Sequence, residues 1–159
     1  MGIVKLYSDG SAKGNPGPGG YGTILQYEDN SGKLYEKTIS AGYEMTTNNR
    51  MELMGAIAGF EALNRACVVE VISDSKYLVD AFNQKWIDKW VQSNWKRGKS
   101  GAVKNIDLWK RLLAAMAPHQ VSFTWVKGHN AHPQNERCDK LATTAADGEH
   151  LLQDVNYEG

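Results

Sequence analysis

The chain has 159 residues, of which 42% are hydrophobic and 23% charged, and its formal net charge is zero. This length suits one globular domain, and the balanced charge excludes attraction to a polyanion through a global field. With no apolar run of membrane-spanning length, no export signal and two cysteines, the sequence predicts a cytoplasmic protein.

Three strand patterns open the chain, at residues 3–9, 21–27 and 33–43, and they predict an antiparallel meander. The run between the first two is rich in glycine and proline, which weaken or interrupt a β-ladder. We therefore expect Asp9 at the end of the first strand, with Asn15 exposed close by. An aspartate before a glycine is also a common turn residue, so the rest of the chain must decide its role.

A helical period follows the polar residues 46–49, which are good N-cap candidates. The apolar residues of this helix share one face: Leu53, Ala56, Ile57, Phe60 and Leu63. Glu52 is predicted on the flank of that face, near the sheet but outside the core. A capping box with Asn49 is the alternative role for Glu52.

The second half of the chain alternates strands and helices. A short apolar strand at 68–74 ends in Asp74 and is followed by a helix at 75–83. A further helix at 103–117 precedes a last strand at 120–127. This order predicts a mixed sheet with helices on its faces, and ligands of such sheets gather at the carboxyl ends of strands.

The C-terminal part carries further polar candidates. His129 lies in a glycine-flanked loop, and a helix beginning near Pro133 carries Asp139 on the flank of its apolar face. The tail, residues 147–159, contains four acidic residues and no lysine or arginine. We expect this tail to be loosely attached.

Residues 84–110 contain seven basic and two acidic residues together with four tryptophans. Basic residues among exposed aromatic side chains are typical of surfaces that bind polyanions. Trp86 and Trp90 lie four positions apart without an aliphatic-rich run around them, which favours a contact surface. Trp109 lies among leucines, which favours the core.

Four carboxylates are the strongest candidates for a functional site: Asp9, Glu52, Asp74 and Asp139. If the strands of Asp9 and Asp74 are neighbours, all four can meet in one cleft, where they can ionise together only beside cations. Carboxylate oxygens select Mg²⁺ or Mn²⁺, and two such ions would activate a water and stabilise the leaving oxygen of a phosphodiester. His129 is a candidate proton carrier because an unperturbed histidine titrates near neutrality.

A zinc site is the competing interpretation, because His129, His132 and Cys138 offer imidazole and thiol ligands. The sequence provides no fourth soft ligand nearby, since Cys67 belongs to another element. The pattern therefore favours the carboxylate site.

Four segments together resemble bacterial-type (type 1) ribonuclease H: residues 8–22, 46–53, 73–75 and 126–139. The resemblance extends over residues 3–147 and keeps the order and spacing of the family. It implies an α/β ribonuclease H-like fold, with a five-stranded mixed sheet (three antiparallel strands, then two parallel) flanked by helices on both faces. It also implies a single catalytic domain at 1–147, with a basic protrusion at about 84–104, and an acidic tail at 148–159.

This resemblance implies a monomeric endonuclease, without an obligate protein partner, that hydrolyses the RNA strand of RNA/DNA hybrids. Two Mg²⁺ ions, or Mn²⁺, would act in each site, and the products would carry 5′-phosphate and 3′-hydroxyl ends. The positions that match the family's metal site are Asp9, Gly10, Glu52, Asp74 and Asp139. His129 would assist proton transfer and product departure.

Further positions match residues with which the family contacts the hybrid: Gly10, Asn15, Thr47, Asn48, Asn49, Trp86, Trp90 and Asn105. Gly10 and Glu52 would lie near ribose 2′-hydroxyls, which distinguish RNA from DNA. Thr47 and Asn105 would bind a phosphate of the DNA strand, and Trp86 and Trp90 would line the channel for its sugars. Such contacts read backbone shape, so little base preference is expected.

Three features depart from the family pattern. Lys76 stands where glutamine commonly follows the Asp-Ser pair, and Met45 stands where a basic residue is often found. The 96–101 part of the protrusion is less cationic than in familiar bacterial members. The strength and salt dependence of hybrid binding therefore do not follow from the resemblance.

Two other functions would use the same features. An enzyme that cuts or transfers DNA strands can share this sheet and its metals, but the asparagines expected near 2′-hydroxyls argue against it. A noncatalytic module that binds hybrids or RNA is the second alternative, and the complete set of acids argues against it.

Overall fold

The computed structural model describes residues 3–96, 103–127, 133–155 and 157 of the chain. Its strands are β1 (Val4–Ala12), β2 (Gly17–Glu28), β3 (Leu34–Thr46), β4 (Val68–Ser73) and β5 (Gln120–Trp125). Its helices are α1 (Asn48–Glu61), α2 (Lys76–Asn83), α3 (Trp86–Gln92), α4 (Ile106–Met116) and α5 (Pro133–Ala146). Within these described ranges, no helix combines the length and apolar character needed to cross a lipid bilayer.

The strands form one mixed sheet in the order β3-β2-β1-β4-β5. β1, β2 and β3 pair antiparallel, whereas β4 is parallel to both β1 and β5. Successive side chains of a strand point to opposite faces. In β1, Leu6 packs beneath α1, while Tyr7 packs with Cys138 of α5. The predicted sheet, with three antiparallel strands, two parallel strands and helices on both faces, is confirmed.

β1 and β2 extend further into the glycine- and proline-rich run than the sequence predicts. Their ladder continues to Ala12, and Asp9 pairs with Gly22 inside it, so the prediction that Asp9 ends its strand is wrong on this side. Pro18 is tolerated because it lies at an irregularity in the pairing of β2 with β3. Toward β4 the pairing of β1 stops at Tyr7, which leaves Asp9 beyond the parallel ladder.

Three glycines in β2 and β3 let the backbone of α5 lie directly on the sheet. A β-carbon at Gly20, Gly22 or Gly42 would overlap main-chain carbonyl oxygens of α5. The missing side chain, which weakens an isolated strand, therefore permits close packing of helix and sheet here. Because Gly22 pairs with Asp9, this packing brings α5 next to Asp9.

α1 crosses the opposite face of the sheet and is buried over most of its length. Its N-cap is Thr47, whose hydroxyl accepts a hydrogen bond from Arg50 N at 3.2 Å. Leu53 and Phe60 are fully buried in the main core. Trp109 of α4 is fully buried in the same core, as the sequence predicts.

Three other element ends differ from the prediction by a few residues. β3 continues past residue 43 to Thr46, and β5 ends at Trp125 instead of at residue 127. α4 begins at Ile106 and not at residue 103. Its N-cap, Asn105, has a left-handed backbone with φ 63°, a conformation that asparagine tolerates better than most residues and that cannot belong to the helix itself.

The described part of the C-terminal tail docks on β3, so the expectation of loose attachment is wrong there. Leu152 N donates to Gly42 O, and Glu44 N donates to Leu152 O, each at 2.8 Å. These bonds make Leu152 a parallel bridge partner of Tyr43.

A carboxylate of the same tail completes this docking. Asp154 Oδ2 accepts hydrogen bonds from Thr46 Oγ1 at 2.7 Å and from Arg50 Nε at 2.6 Å. Arg50 is 2% exposed, and a buried cation needs carboxylate partners. Arg50, about a hundred residues earlier in the chain, therefore holds the tail in place. The composition of the tail alone does not reveal this contact.

Candidate active site

Three of the predicted carboxylates converge just beyond the end of the parallel ladder between β1 and β4. One oxygen from each of Asp9, Glu52 and Asp74 lies within 4.8 Å of the others. Asp9 comes from β1, Glu52 from the start of α1, and Asp74 follows the last residue of β4. The parallel pairing of β1 with β4 is what places the two aspartates side by side.

Gly10 allows α1 to approach this end of the ladder. Its amide N donates to Asp9 Oδ1 and to Glu52 Oε1, both at 2.9 Å. A β-carbon on Gly10 would overlap the backbone of α1 at Met51 and Glu52. Because the helix lies so close, Glu52 is 4% exposed, and the prediction that it stays outside the core is wrong.

The alternative role of Glu52 as a capping-box residue is also not observed. Thr47 is the N-cap of α1, and Asn49 already lies within the helix. The carboxylate of Glu52 instead turns toward β1, where Gly10 holds one of its oxygens. Glu52 is therefore a residue of the acidic cluster.

The cluster is electrostatically unfavourable without a cation or a shared proton. Burial, followed by the charge of Asp74, raises the pKa of Asp9 to about 7. Burial and the nearby Asp9 also raise the pKa of Glu52 well above its usual range. Glu52 Oε2 is buried and has no hydrogen-bond partner among the described residues. A buried carboxylate oxygen in this state needs a cation or a proton.

Asp139 belongs to the same cleft but not to the group of three. The cleft has a volume of about 460 Å³ and is lined by Asp9, Glu52, Asp74 and Asp139 among others. Asp139 is carried by α5 and is half-buried. Its charge contributes to the raised pKa of Asp9, after burial and Asp74. The structure thus brings all four acids to one cleft, with Asp139 on the α5 side.

The asparagines predicted to contact substrate lie at the rim of this cleft. Asn48 and Asn49, in the first turn of α1, line it and are exposed. Asn15 is exposed in the connection between β1 and β2, and its Oδ1 accepts a hydrogen bond from Asn48 N at 3.1 Å. These three side chains form one polar edge beside the acids.

Thr47 and Asn105 are linked through a buried arginine. Arg50 N donates to Thr47 Oγ1, and Arg50 Nη1 donates to Asn105 Oδ1 at 3.2 Å. Asn105 Nδ2 also donates to Tyr77 OH at 3.0 Å. The structure therefore connects the two predicted phosphate-binding positions, although they are 58 residues apart in the chain.

The two predicted channel tryptophans differ in exposure. Trp86 is 38% exposed, whereas Trp90 is half-buried, with its ring centroid 5.4 Å from that of Trp109. Trp90 therefore joins the exposed aromatic surface to the core. Of the nearby basic residues, Lys85, Lys89 and Lys96 are exposed, while Arg97 and Lys99 lie outside the described ranges.

His129 and His132 lie outside the described residues, so the position of the predicted proton carrier stays a prediction. Cys138, the third group of the alternative zinc site, is fully buried against β1 and β2. Burial raises the pKa of the Cys138 thiol to about 12. A zinc ligand must be a thiolate, so the buried thiol disfavours the zinc interpretation.

Trp125 contacts two residues of the cleft, Asp74 and Lys76, and the sequence prediction missed it. It is the last residue of β5 and pairs with Ser73 at the end of β4. Its Nε1 donates to the main-chain oxygen of Asp74 at 3.1 Å, and Lys76 Nζ lies 4.9 Å from its ring centroid. Its place at the end of the strand next to β4 was the available signal.

The acidic cluster fits a hard divalent cation. Its ligands are carboxylate oxygens, which suit Mg²⁺ or Mn²⁺ and not a soft metal. The buried Glu52 Oε2 supplies a ligand atom that the described residues leave without a partner. A cation would also lower the raised pKa values of Asp9 and Glu52, because its charge favours the ionised carboxylates.

Comparison with known proteins identifies the family. The family model of RNase H matches residues 2–147. Ribonuclease H of Lachnoclostridium phytofermentans is 62% identical over 152 residues, which are 95% of this chain and 96% of the relative. Ribonuclease H of Sodalis glossinidius is 53% identical over 154 residues, 97% of this chain and 90% of the relative.

Solved structures show the same fold. The crystal structure of LC9-RNase H1, described as a type 1 RNase H with the type 2 active-site motif, is 36% identical. The two structures superpose with a TM-score of 0.84 over 94% of this chain and 74% of that one.

The chain belongs to the RNase H family, in its bacterial form. It is accordingly an enzyme, an endonuclease that degrades RNA in RNA/DNA hybrids. Family membership and the acidic cluster together indicate that it depends on a divalent metal.

Proposed function

We propose that this endonuclease uses two Mg²⁺ ions in each site and leaves 5′-phosphate and 3′-hydroxyl ends on the cleaved RNA. The observation that carries the proposal is the convergence of three carboxylates, one of which, Glu52, has a buried oxygen without a hydrogen-bond partner among the described residues. When bound there, the metal pair would supply the attacking hydroxide and stabilise the leaving oxygen. Mn²⁺ would satisfy the same oxygen ligands.

The residues of the cleft have separate tasks in this proposal. Asp9, Glu52 and Asp74 hold the metals, and Asp139 adds a carboxylate from α5. The amide of Gly10 keeps Asp9 and Glu52 in place, since it donates to both. Such main-chain support fixes the ligands before substrate binds, which limits reorganisation during the reaction.

Substrate contacts would follow the rim of the cleft. Asn15, Asn48 and Asn49 are exposed beside the acids, where ribose 2′-hydroxyls of the RNA strand would lie, near Gly10. These side chains can donate and accept hydrogen bonds, as a hydroxyl requires. They would give preference for RNA over DNA at the cut strand.

The DNA strand would contact the other side of α1. Thr47 and Asn105 would bind one of its phosphates, and their connection through Arg50 supports a common role. Trp86 and Trp90 would contact its sugars, with the exposed Trp86 making the larger contact. His129 would assist proton transfer and product departure, as the sequence predicts.

A cleavage assay with three duplexes tests the proposal. The protein is incubated with an RNA/DNA hybrid, duplex RNA and duplex DNA, each with Mg²⁺ and with a chelator. We expect cutting of hybrid RNA alone, abolished by the chelator. Phosphatase treatment should shift the gel mobility of the fragment with a fluorophore at the original 3′ end of the RNA, which carries the new 5′-phosphate, and not that of the fragment labelled at the original 5′ end. Nicked duplex DNA would favour a DNA-strand enzyme, and 3′-phosphate products would overturn the proposed chemistry.

A further inference from the structure

A lysine stands at the rim of the acidic cleft. Lys76 is the first residue of α2 and is exposed. Ser75, the N-cap of α2, fixes the start of this helix because its hydroxyl accepts a hydrogen bond from Leu78 N. Among the described residues that line the cleft, Lys76 is the one lysine or arginine.

The ring of Trp125 positions this lysine. Lys76 Nζ lies 4.9 Å from the ring centroid, within the range of a cation–π interaction. The same indole donates from Nε1 to the main-chain oxygen of Asp74. One side chain thus contacts both a predicted metal ligand and the cation beside it.

A cation held by an aromatic face remains able to bind an anion. The ring attracts the ammonium group without neutralising its charge, and the group has three N–H donors. A polyanion entering a cleft lined by four acids meets repulsion everywhere except at metals and at cations of the rim. Lysine binds phosphate as a point charge, without a requirement for base sequence.

We propose that Lys76, positioned by Trp125, binds a phosphate of the RNA strand next to the one that is cleaved. This inference rests on the proposed function, because it takes the acids as the place where the RNA strand is cut. It makes Lys76 a substrate-binding residue and Trp125 a positioning residue. Hybrid binding would thereby gain a charge contact at the cleft itself.

The first experiment compares Lys76→Gln with Lys33→Gln. Lys33 is a matched control, since its Nζ lies 5.0 Å from the ring centroid of Tyr35 at the hairpin of β2 and β3, away from the cleft. We measure kcat and KM for hybrid cleavage between about 50 and 200 mM salt. Lys76→Gln should raise KM about threefold to fivefold with kcat nearly unchanged. It should also reduce the salt slope of binding by about one.

The second experiment separates the ring of Trp125 from its N–H group. Trp125→Phe keeps an aromatic face for Lys76 but cannot donate to Asp74, whereas Trp125→Leu removes both. We expect KM to rise in the leucine variant and much less in the phenylalanine variant. Lys76→Gln should add little to the KM of Trp125→Leu, because the two changes remove one interaction. Lys76→Arg should preserve the wild-type salt slope.

Several outcomes would overturn the inference. KM and salt slope in Lys76→Gln that match those of Lys33→Gln would show that Lys76 does not contact the hybrid. A loss of kcat at constant KM would show that Lys76 acts on the acids and not on a phosphate. If the wild-type protein failed to cut hybrids, the proposed function would fail, and the salt slope of hybrid binding in chelator would still decide the role of Lys76.

Discussion

The protein contains two clusters of acidic side chains, and each cluster includes a buried residue from the first two turns of α1. In the acidic cleft, Asp9, Glu52 and Asp74 face one another. Two residues before Glu52, Arg50 stands between Asp107 of α4 and Asp154 of the tail. Carboxylates thus face other carboxylates in the cleft, whereas they face an arginine in the second cluster.

The arginine cluster is complete within the protein. Arg50 Nη1 and Nη2 donate to the two oxygens of Asp107 at 2.9 and 2.7 Å, and Nε and Nη2 donate to Asp154 at 2.6 and 2.8 Å. Burial alone would raise the pKa of Asp107, but the hydrogen bonds and charge of Arg50 outweigh it and lower that pKa. The cleft, where the pKa of Asp9 is raised to about 7, is by contrast incomplete without a ligand.

This difference separates a structural site from a functional one. Acids whose charges are balanced by the fold stabilise it, whereas acids that repel one another cost stability until a cation binds. The two clusters should therefore respond in opposite ways to removal of a charge. The following experiments test this contrast, beginning with the largest expected effect.

Asp9→Asn should abolish turnover, with a loss in kcat of about 10³-fold or more, because several kcal/mol of metal-dependent stabilisation would be lost. Hybrid affinity should be largely unchanged, since most of the proposed phosphate contacts lie elsewhere. Single-turnover cleavage and hybrid binding by fluorescence anisotropy measure the two quantities. A variant with near-normal turnover would remove Asp9 from the metal site.

Arg50→Met should lower the free energy of unfolding by about 3–5 kcal/mol, because it leaves buried carboxylates without a cation. The matched control is Arg111→Met, whose ion pair with Glu61 is about half exposed, and its cost should be at most about 1 kcal/mol. Urea denaturation followed by circular dichroism measures both. Equal losses in the two variants would contradict the structural role of the Arg50 cluster.

Asp154→Asn should cost about 1.5–3 kcal/mol, the range for a buried hydrogen bond to a charged group. Asp147→Asn breaks the exposed ion pair with Lys13 at the other end of the tail and should cost less than about 1 kcal/mol. Both values come from the same denaturation experiment. An Asp154→Asn variant as stable as wild type would show that the tail does not stabilise α1.

The last experiment concerns the pH dependence of the cleft. Between about pH 4 and 7, unfolded chains have lost the Asp9 proton while the folded protein retains it, so stability falls as pH rises. In chelator, the melting temperature of Asp9→Asn should therefore rise relative to wild type over this range, by up to about ten degrees. Saturating Mg²⁺ at pH 7 should remove the difference, since it stabilises the wild-type protein. A constant difference across pH 4–7 would contradict the raised pKa.

The sequence predicts the acids and the sheet well because both follow from local patterns. Period-two and helical runs define the elements, and the motif around Asp9 and Asp74 places both beside neighbouring strands. The glycine-rich run is an exception, because its composition predicts an interrupted ladder whereas β1 and β2 pair within it. The local pattern does not reveal that α5 packs on these glycines. Gly22 has no side chain, which leaves room for the backbone of α5 directly above it.

The docking of the tail could not be predicted from its own residues. An acidic segment is expected to be exposed to solvent unless a buried cation is available to pair with it. Arg50 is such a cation. A signal was nevertheless present, because Arg50 lies among apolar residues of α1, where an arginine without partners would be costly. The burial of Glu52 was missed for a related reason, since it depends on the absent side chain of Gly10.

The glycine surface beneath α5 has a consequence for the width of the metal-binding cleft. Asp139 belongs to α5, and main-chain contacts with the glycines of β2 and β3 set the distance of this helix from the sheet. A change of side-chain rotamer therefore cannot make room for a larger residue at those glycines. One methyl group at Gly22 would shift the fourth acid relative to the other three while leaving every carboxylate in the sequence. The spacing between the four acids, and with it the size of ion that the proposed metal site would accept, thus depends on a residue that has no side chain.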